Sequence, residues 1–530
     1  MTAADASTAL DRFEEAYEPI RRNHALALWR LATKGDAAAA REVTELERRS
    51  ADLLSDPERF ATVEAALDGA DPTSLDGRRI RLYRRQALHH QIPASLREEL
   101  IQLGVEGEQV YGTFRATFEG GPVNDGLLDQ ILREEPREAR RREAWLATRQ
   151  VGDEVAARVR KLARLRNRQA HHLGFPTFHE LALDAAELDP DWLMELLGEL
   201  ERRSTPVYAQ IKRRLDADLR SQFGHDDLQL WHYPERFLQH LPPDEHTANL
   251  DRHFPVQRIE AIAHSYFADL DLPIDDLWEA SDMLPRKGKN QHAFSLPVEV
   301  PGDVRVLCNL VLGTRWMSTA LHEFGHALYD RHVEPSLPLL MRGAAHSLVT
   351  EGVAMFFGRL VYEPRWLDAV AGVPPGITEA SAATLRTNQI LFLRWAMVVV
   401  HFERALYADP DGDLDAVWWD LVERFQGLRR PEGHTCADWA AKIHVACYPV
   451  YYQNYVLGEL VASQLHGALS HRLGHSGDPA GVLLAGKPVG GFFRELFALG
   501  ARHHWEDTLR QITGSALSAG PYLQRFVGEP

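Results

Sequence analysis

The amino-acid sequence predicts a mainly α-helical protein, on three observations. Apolar residues recur at helical spacing through long charged stretches, helix start and stop signals separate these stretches, and only one segment alternates as strands do. The chain has 530 residues, of which 45% are hydrophobic and 25% are charged, an ordinary composition for a globular protein. We therefore expect a large helical core.

Two helices in the N-terminal half illustrate the pattern. Between residues 151 and 174, apolar side chains return every three or four positions, and Gly174 supplies a stop. The next helix begins after Asp189, which can cap it, with Pro190 at the first helical position. The chain up to about Leu230 reads as a run of such helices.

One segment departs from the helical pattern. The run QHAFSLPVEVPGDVRVLCNLV, Gln291 to Val311, alternates and is rich in valine, and Pro301, Gly302 and Asp303 interrupt it. These features predict a β-hairpin. It should end just before a helix that starts near Thr314, which can cap that helix.

Charge and composition exclude several function classes. The chain has 76 acidic against 59 basic residues, and a net acidic surface repels phosphate backbones, so we expect no nucleic-acid partner. No apolar run approaches the ~20 residues that a membrane span needs, and no signal peptide is visible, so we expect no membrane partner. Three scattered cysteines favour a reducing cytoplasm over a disulfide framework.

The segment ALHEFGHALYD, Ala320 to Asp330, carries two histidines four residues apart. Residues at this spacing lie one turn apart on the same helix face, so His322 and His326 can reach one cation. Zinc accepts imidazole nitrogen and takes a third protein ligand in catalytic sites. Glu323 is placed to act as general base on a nearby water. The alternative is an amphipathic helix that happens to carry two histidines.

A third ligand should come from a second helix packed against the first. The candidate segment is MRGAAHSLVTEGVAMFFGRL, Met341 to Leu360, in which Glu351 lies in an apolar run. A carboxylate is costly to bury without a partner, and zinc would be that partner. Two alternatives stay open: His346 as the ligand, or an ion pair between Glu351 and Arg359.

These residues resemble a known group of enzymes. HEFGH, followed 25 residues after its second histidine by Glu351, is similar to the gluzincin metallopeptidases. Within them the chain most resembles the peptidyl-dipeptidase A (angiotensin-converting enzyme-like) family, and it is also similar to the oligopeptidase and carboxypeptidase Taq families. Three further segments share the family's pattern: QHAF (291–294), WWDLVERFQG (418–427) and AAKIHVACYPVYYQNYVLGEL (441–460).

The resemblance implies two helical lobes that flank a deep substrate cleft, with the hairpin beside the zinc helix. It implies one metallopeptidase unit over residues 1–530, in which residues 1–285 form mostly the N-terminal lobe. Residues 286–530 would carry the hairpin, the zinc helices and the C-terminal substrate-binding helices. One Zn²⁺ per chain would be held by His322, His326 and Glu351, with Glu323 as the general base.

The remaining family residues are implied to bind the substrate. Tyr455 would hydrogen-bond the developing oxyanion, and His444 and His292 would hold a substrate carbonyl. Lys442 would supply a charge that fixes the terminal carboxylate. The full implied set of substrate contacts is Tyr455, His444, His292, Ala293 (through its backbone), Lys442 and Tyr452.

The chain departs from the family at several positions. One extra residue before the tyrosine pair leaves Tyr451 as an alternative to Tyr452 in the carboxylate role. Asn454 replaces an arginine linked to chloride activation, so we expect no chloride dependence. Met355 replaces an aspartate that supports a zinc histidine, and Asp330 is either its substitute or a solvated charge.

The favoured function is release of dipeptides from the free C-terminus of peptide substrates. An endo-oligopeptidase or a metallocarboxypeptidase on the same fold is the alternative within the enzymes. A catalytically silent peptide-binding protein is the alternative from another class, and its sequence sign would be a lost ligand or a lost Glu323.

Overall fold

The predicted mainly α class is confirmed. The computed structural model describes residues 3–241, 249–475 and 480–528, and the protein is 69% helical. Across these three ranges, the strands form two small antiparallel sheets of two strands each. None of the described helices combines the length and the apolar character needed to cross a membrane.

The helices vary widely in length. In chain order the described α-helices are α1 (Ala3–Lys34), α2 (Ala37–Leu54), α3 (Pro57–Leu67), α4 (Leu75–Leu88), α5 (Ala94–Thr113), α6 (Asp125–Glu134), α7 (Glu138–Ala147), α8 (Gln150–His172), α9 (Phe178–Ala185), α10 (Pro190–Phe223), α11 (Val256–Asp269), α12 (Asp275–Glu279), α13 (Thr314–Arg331), α14 (Ser347–Gly358), α15 (Pro364–Ala369), α16 (Pro375–Ala408), α17 (Leu414–Gln426), α18 (Ile443–Cys447), α19 (Gln453–Arg472), α20 (Lys487–Ala498), α21 (Trp505–Thr513) and α22 (Gly520–Phe526).

The chain divides into two compact units, each built from separate stretches of sequence. Unit 1 comprises Met1–Gln91, Pro243–Ala382 and Leu457–Tyr522, and unit 2 comprises Ile92–Pro242, Ala383–Val456 and Leu523–Pro530. The HEFGH helix α13 and the long hairpin belong to unit 1, whereas Lys442, His444, Tyr452 and Tyr455 belong to unit 2. The predicted cleft and the predicted boundary at residue 285 stay predictions.

Both helices singled out in the N-terminal half form where the periodicity places them. At the start of α10, the Asp189 carboxylate accepts the backbone N–H of Trp192 at 2.7 Å, and Pro190 occupies the first turn. Gly174, two residues beyond α8, has φ +84°, as expected of a helix stop. The apolar stripe of α8 is buried at Val151, Val155, Val159, Leu162 and Leu165.

The predicted hairpin is present in unit 1, within narrower limits. Strands β3 (Phe294–Glu299) and β4 (Asp303–Leu307) pair antiparallel, with an irregularity between Pro297 and Glu299. The prediction that Thr314 caps α13 is wrong. Thr314 is already the first helical residue, and its N–H is accepted by the Asp251 carboxylate at 2.7 Å.

Unit 2 contains a second, smaller hairpin that the sequence did not reveal. Strands β1 (Ala116–Phe118) and β2 (Gly121–Val123) are joined by Glu119 and Gly120, with φ of +50° and +81°. Positive φ at both central residues is the geometry of a tight two-residue hairpin turn. Three-residue strands are too short to show an alternating pattern, which explains why they were missed.

Helices α13 and α14 cross in unit 1 with unusually close backbones. A Cβ added at Gly325 would lie 3.0 Å from Ala354 Cα and 3.2 Å from the Phe357 ring. A Cβ added at Gly358 would lie 3.3 Å from His322 Cβ. Small residues on both helices therefore set the distance between the two segments that were predicted to hold a metal.

We expect Gly325→Ala to destabilise unit 1. The added methyl meets backbone rather than the end of a flexible side chain, so overpacking should cost about 1–3 kcal/mol. Gly104→Ala in α5 is the matched control, because a Cβ there meets nothing within 4 Å and alanine favours helix by about 1 kcal/mol. Urea unfolding followed by circular dichroism checks both. Because the helix preference of alanine applies at both positions, a Gly325→Ala midpoint as high as the Gly104→Ala midpoint would contradict the packing argument.

Candidate active site

The three predicted metal ligands converge in unit 1. Glu351 Oε2 lies 3.7 Å from His322 Nε2 and 4.0 Å from His326 Nε2, and one ligand atom from each of the three residues lies within 4.8 Å of the others. The two imidazole rings are nearly perpendicular, with centroids 4.9 Å apart. The i, i+4 spacing on α13 and the close crossing with α14 together produce this group.

Burial sets the protonation state of the two histidines. It lowers the pKa of His322 to about 4, and burial together with the neighbouring His322 lowers the pKa of His326 to about 3. Both rings are therefore neutral at pH 7. Neutral imidazole is the form that binds a metal ion.

These residues fit a zinc ion. Zinc with ligands at about 2.0–2.2 Å in tetrahedral geometry holds its ligand atoms roughly 3.3–3.6 Å apart. The carboxylate–imidazole separations of 3.7 and 4.0 Å exceed this range by only a few tenths of an ångström. Two imidazoles and one carboxylate are also a ligand set found at catalytic zinc sites.

The position of Glu351 depends on a glycine of α19. A Cβ added at Gly458 would lie 3.0 Å from both Glu351 Cβ and Met355 Sδ, so α19 approaches α14 closely here. The rival ligand His346 instead caps α14, since its Nδ1 accepts the N–H of Leu348 at 2.9 Å. The rival ion-pair partner, Arg359, pairs with Glu459.

The hydrogen-bond partner of His326 is Thr350, the residue before Glu351. Thr350 Oγ1 lies 2.7 Å from His326 Nδ1, where it can accept the ring N–H that a ligand bound through Nε2 retains. Asp330 was considered for this place, but it is partly buried beside Arg21. Burial raises the pKa of Asp330 to about 7, and the charge of Arg21 opposes this shift.

Glu323 is buried next to the predicted metal ligands. Burial and the charge of Glu351 raise its pKa to about 8, whereas a hydrogen bond from the backbone of Ser295 favours its ionised form. Ser295 lies on β3, so the hairpin directly contacts the predicted general base. A raised pKa and a fixed orientation suit a group that accepts and returns a proton near neutral pH.

The two predicted hairpin contacts lie just before β3. His292 is exposed, and its backbone N–H is bound by the Asn290 side chain at 2.9 Å. Ala293 directly precedes the first strand residue, Phe294, so it lies at the end of the hairpin rather than within it. Their roles toward a substrate stay predictions.

Lys442 lies in an aromatic pocket of unit 2, where only 9% of the residue is exposed. Its Nζ lies 5.4–5.7 Å from the ring centroids of Phe237, Trp395 and Tyr452 and donates to Gln239 Oε1 at 3.1 Å. Burial lowers the pKa of Lys442 to about 8. The charge of Glu235 opposes this shift and the charge of Arg236 adds to it.

The predicted tyrosine and histidine contacts of unit 2 cluster beside this lysine. His444 Nε2 lies 3.4 Å from the Tyr455 hydroxyl, and its ring centroid lies 4.9 Å from that of Tyr452. The Tyr452 hydroxyl accepts a hydrogen bond from Trp395 Nε1 at 2.7 Å. The ring that lies 5.4 Å from Lys442 Nζ is that of Tyr452, and the carboxylate role of Tyr452 or Tyr451 stays a prediction.

Sequence reasoning missed three members of the lysine pocket: Phe237, Gln239 and Trp395. Phe237 ends the aromatic segment WHYPERF, Trp231 to Phe237, whose residue types alone indicate no particular role. The rest of that segment is structural, since Arg141 donates to the carbonyls of Trp231 and His232 at 2.7 and 2.8 Å.

A second histidine–glutamate group lies in unit 2. The Glu138 carboxylate oxygens lie 3.1 Å from Nε2 of both His225 and His232. However, His232 Nδ1 accepts the backbone N–H of Gln229 at 2.7 Å, so its neutral ring carries the proton on Nε2, facing the carboxylate. A ring in this form cannot offer Nε2 to a metal, and we interpret the group as a hydrogen-bonded network.

Two histidines one turn apart, a glutamate on the next helix and a buried acid beside them, in a mainly α fold, define a metal site of the gluzincin type. The sequence profile of the angiotensin-converting enzyme family, peptidase M2, matches residues 236–527, which is more than half of the chain. The profile of peptidase family M3 matches residues 131–268. The chain therefore belongs to the angiotensin-converting enzyme family of metallopeptidases.

Individual relatives are distant. The chain is 23% identical over 427 residues to the angiotensin-converting enzyme-like protein Ace3 of Mus musculus, covering 72% of this chain and 56% of that protein. It is 23% identical over 372 residues to angiotensin-converting enzyme of Theromyzon tessulatum, covering 66% and 60%. It is 22% identical over 251 residues to an inactive angiotensin-converting enzyme-related protein of Caenorhabditis elegans, covering 44% and 27%. The chain thus matches little more than half the length of the first two relatives.

We expect Thr350→Val to weaken zinc binding about tenfold, because the His326 N–H loses its acceptor while side-chain volume is kept. Thr350→Ser keeps the hydroxyl and should stay within about twofold of the wild-type protein. Competition with a fluorescent zinc chelator measures both affinities. Equal affinities for Thr350→Val and the wild-type protein would show that the 2.7 Å contact does not support the ligand.

Proposed function

We propose that the protein is a zinc-dependent peptidase that hydrolyses oligopeptides and releases dipeptides from their free C-terminus. The observation that carries the proposal is the convergence of His322, His326 and Glu351 beside the buried Glu323. One Zn²⁺ per chain is the proposed cofactor. When bound, zinc supplies a Lewis acid and lowers the pKa of a coordinated water.

The residues of unit 1 would handle the proton. Glu323 takes a proton from the attacking water and delivers it to the leaving amine. The backbone N–H of Ser295 orients its carboxylate, and Thr350 orients the ring of His326. His292 and the backbone of Ala293 are proposed to hold the peptide, on the family resemblance alone.

The residues of unit 2 would bind the negative charges of the oxyanion and of the substrate's terminal carboxylate. Tyr455 donates its hydroxyl hydrogen to the oxyanion that forms during attack, an interaction worth a few kcal/mol. Lys442 and Tyr452 hold the terminal carboxylate of the substrate, and Gln239 fixes the lysine in place. His444, 3.4 Å from the Tyr455 hydroxyl, holds a substrate carbonyl.

Two other functions stay in competition. An endo-oligopeptidase or a metallocarboxypeptidase would use the same three metal ligands, but the bond that it cleaves would not lie two residues from the C-terminus. A silent peptide-binding protein is a candidate because one relative is named inactive. Against it, His322, Glu323, His326 and Glu351 are all retained.

The cellular compartment is proposed from the cysteine content of the chain. We propose a reducing compartment such as the cytoplasm, since the three cysteines Cys308, Cys436 and Cys447 are free thiols. Peptides are the proposed partners, and the acidic composition disfavours nucleic acids.

We expect Glu323→Gln to retain zinc and to lose hydrolysis by at least about a hundredfold, because the amide cannot accept the proton. Metal content by mass spectrometry and cleavage of a quenched fluorescent peptide are measured on the same preparation. Full hydrolysis by the zinc-loaded variant would refute the general-base role, and a zinc-loaded wild-type protein that cleaves no peptide would favour the silent binder.

We expect C-terminal amidation to abolish dipeptide release, because it removes the charge that Lys442 binds.

With its pKa lowered to about 8, Lys442 is charged below that pH and neutral above it, so KM for a free-acid peptide should rise about tenfold between pH 7 and 9. Lys442→Met is the control and should give a high KM that no longer follows this titration. Product masses and KM against pH measure both effects. Cleavage of acid and amide peptides with equal efficiency would favour the endo-oligopeptidase.

A further inference from the structure

A short turn in unit 2 precedes the helix that carries Tyr455. Residues 448–452 connect α18 to α19, and Val450 within this turn has φ +53°. This left-handed conformation is strained for a β-branched residue. Something in the surrounding structure must therefore hold Val450 in place.

Glu403 on α16 makes that contact. Its Oε1 accepts the backbone N–H of Val450 at 2.7 Å, and the residue is only 2% exposed. Its other oxygen, Oε2, is buried, and the described residues offer it no hydrogen-bond partner. Burial raises the pKa of Glu403 to about 8, whereas the hydrogen bond from the Val450 N–H and the charge of Arg166 favour its ionised form. Burying a carboxyl group that makes a single hydrogen bond costs free energy of folding, which suggests that this hydrogen bond has a specific role.

Hydrogen bonds within the turn connect the conformation of Val450 to the positions of the two tyrosines. Gln453 Nε2 donates to the carbonyl of Val450 at 2.8 Å, so both peptide groups of Val450 are fixed. The N–H groups of Asn454 and Tyr455 bind the carbonyls of Tyr451 and Tyr452 at 2.9 and 3.2 Å. The conformation of Val450 therefore sets where Tyr452 and the first turn of α19 begin.

We infer that Glu403 is a positioning residue: by holding Val450 in the left-handed conformation, it orients Tyr452 and Tyr455 for substrate. This inference rests on the proposed function for its catalytic consequence, although its structural part does not. Glu403 touches neither substrate nor metal in this role. Glycine adopts positive φ without strain, so a glycine at position 450 should make the glutamate dispensable.

The test compares four variants of the full-length, zinc-loaded protein: Glu403→Leu, Glu403→Gln, Val450→Gly and the double variant Glu403→Leu/Val450→Gly. Hydrogen–deuterium exchange of peptides covering residues 448–455 reports the turn, and kcat/KM for a free-acid peptide reports the tyrosines. Glu201→Gln is the control, because it removes an acid of unit 2 that pairs with Arg424 at the surface.

Glu403→Leu should speed exchange in residues 448–455 at least about tenfold and lower kcat/KM by about ten- to a hundredfold. Glu403→Gln keeps an acceptor and should match the wild-type protein in both measurements. The double variant should regain most of the lost kcat/KM, which a general loss of core stability would not allow. If Glu403→Leu does not fold, Glu403→Asp, whose shorter side chain withdraws the acceptor, replaces it in both comparisons.

Unchanged exchange in Glu403→Leu overturns the inference, as does a double variant whose kcat/KM stays as low as that of Glu403→Leu. If the wild-type protein cleaves no peptide, the proposed function fails, and the exchange measurements alone then decide whether Glu403 holds the turn.

Discussion

The close crossing of α13 and α14 is the constraint on which the metal group depends. Gly325 and Gly358 leave room for the opposite helix, and Gly458 lets α19 approach behind Glu351. These three positions bring a carboxylate within 4 Å of two imidazoles that lie one turn apart. Larger side chains there would separate the helices, and the ligands would no longer reach a common point.

The electrostatics of this crossing favour a divalent cation. Burial lowers the pKa of both histidines and raises that of Glu323, and the charge of Glu351 raises the latter further. The protein thus keeps one buried and one partly buried carboxyl group, Glu323 and Glu351, next to two neutral rings. A doubly charged ion beside them would favour the ionised carboxylates and use the free imidazole nitrogens, so the same burial that is costly without metal suits a metal site.

The sequence could predict what depends on short spacing. The i, i+4 histidines, the apolar run around Glu351 and the alternating hairpin are local patterns, and each lies where the pattern indicated. It could not predict partners that are distant in sequence. The Asp251 carboxylate, rather than the Thr314 side chain, accepts a backbone N–H at the start of α13. Gln239 accepts a hydrogen bond from Lys442, about two hundred residues away in the chain. The contact between Thr350 and His326 was not predicted, because the family resemblance indicates position 355, further along α14, for the residue that supports a zinc histidine.

The proposed hydrolysis requires one divalent ion bound between α13 and α14. X-ray diffraction from zinc-loaded crystals, recorded on both sides of the zinc absorption edge, locates such an ion directly. A single strong anomalous peak bound by His322, His326 and Glu351 is the predicted result. A peak at Glu138, His225 and His232 instead, or no peak between the two histidines of α13 and Glu351, would contradict it.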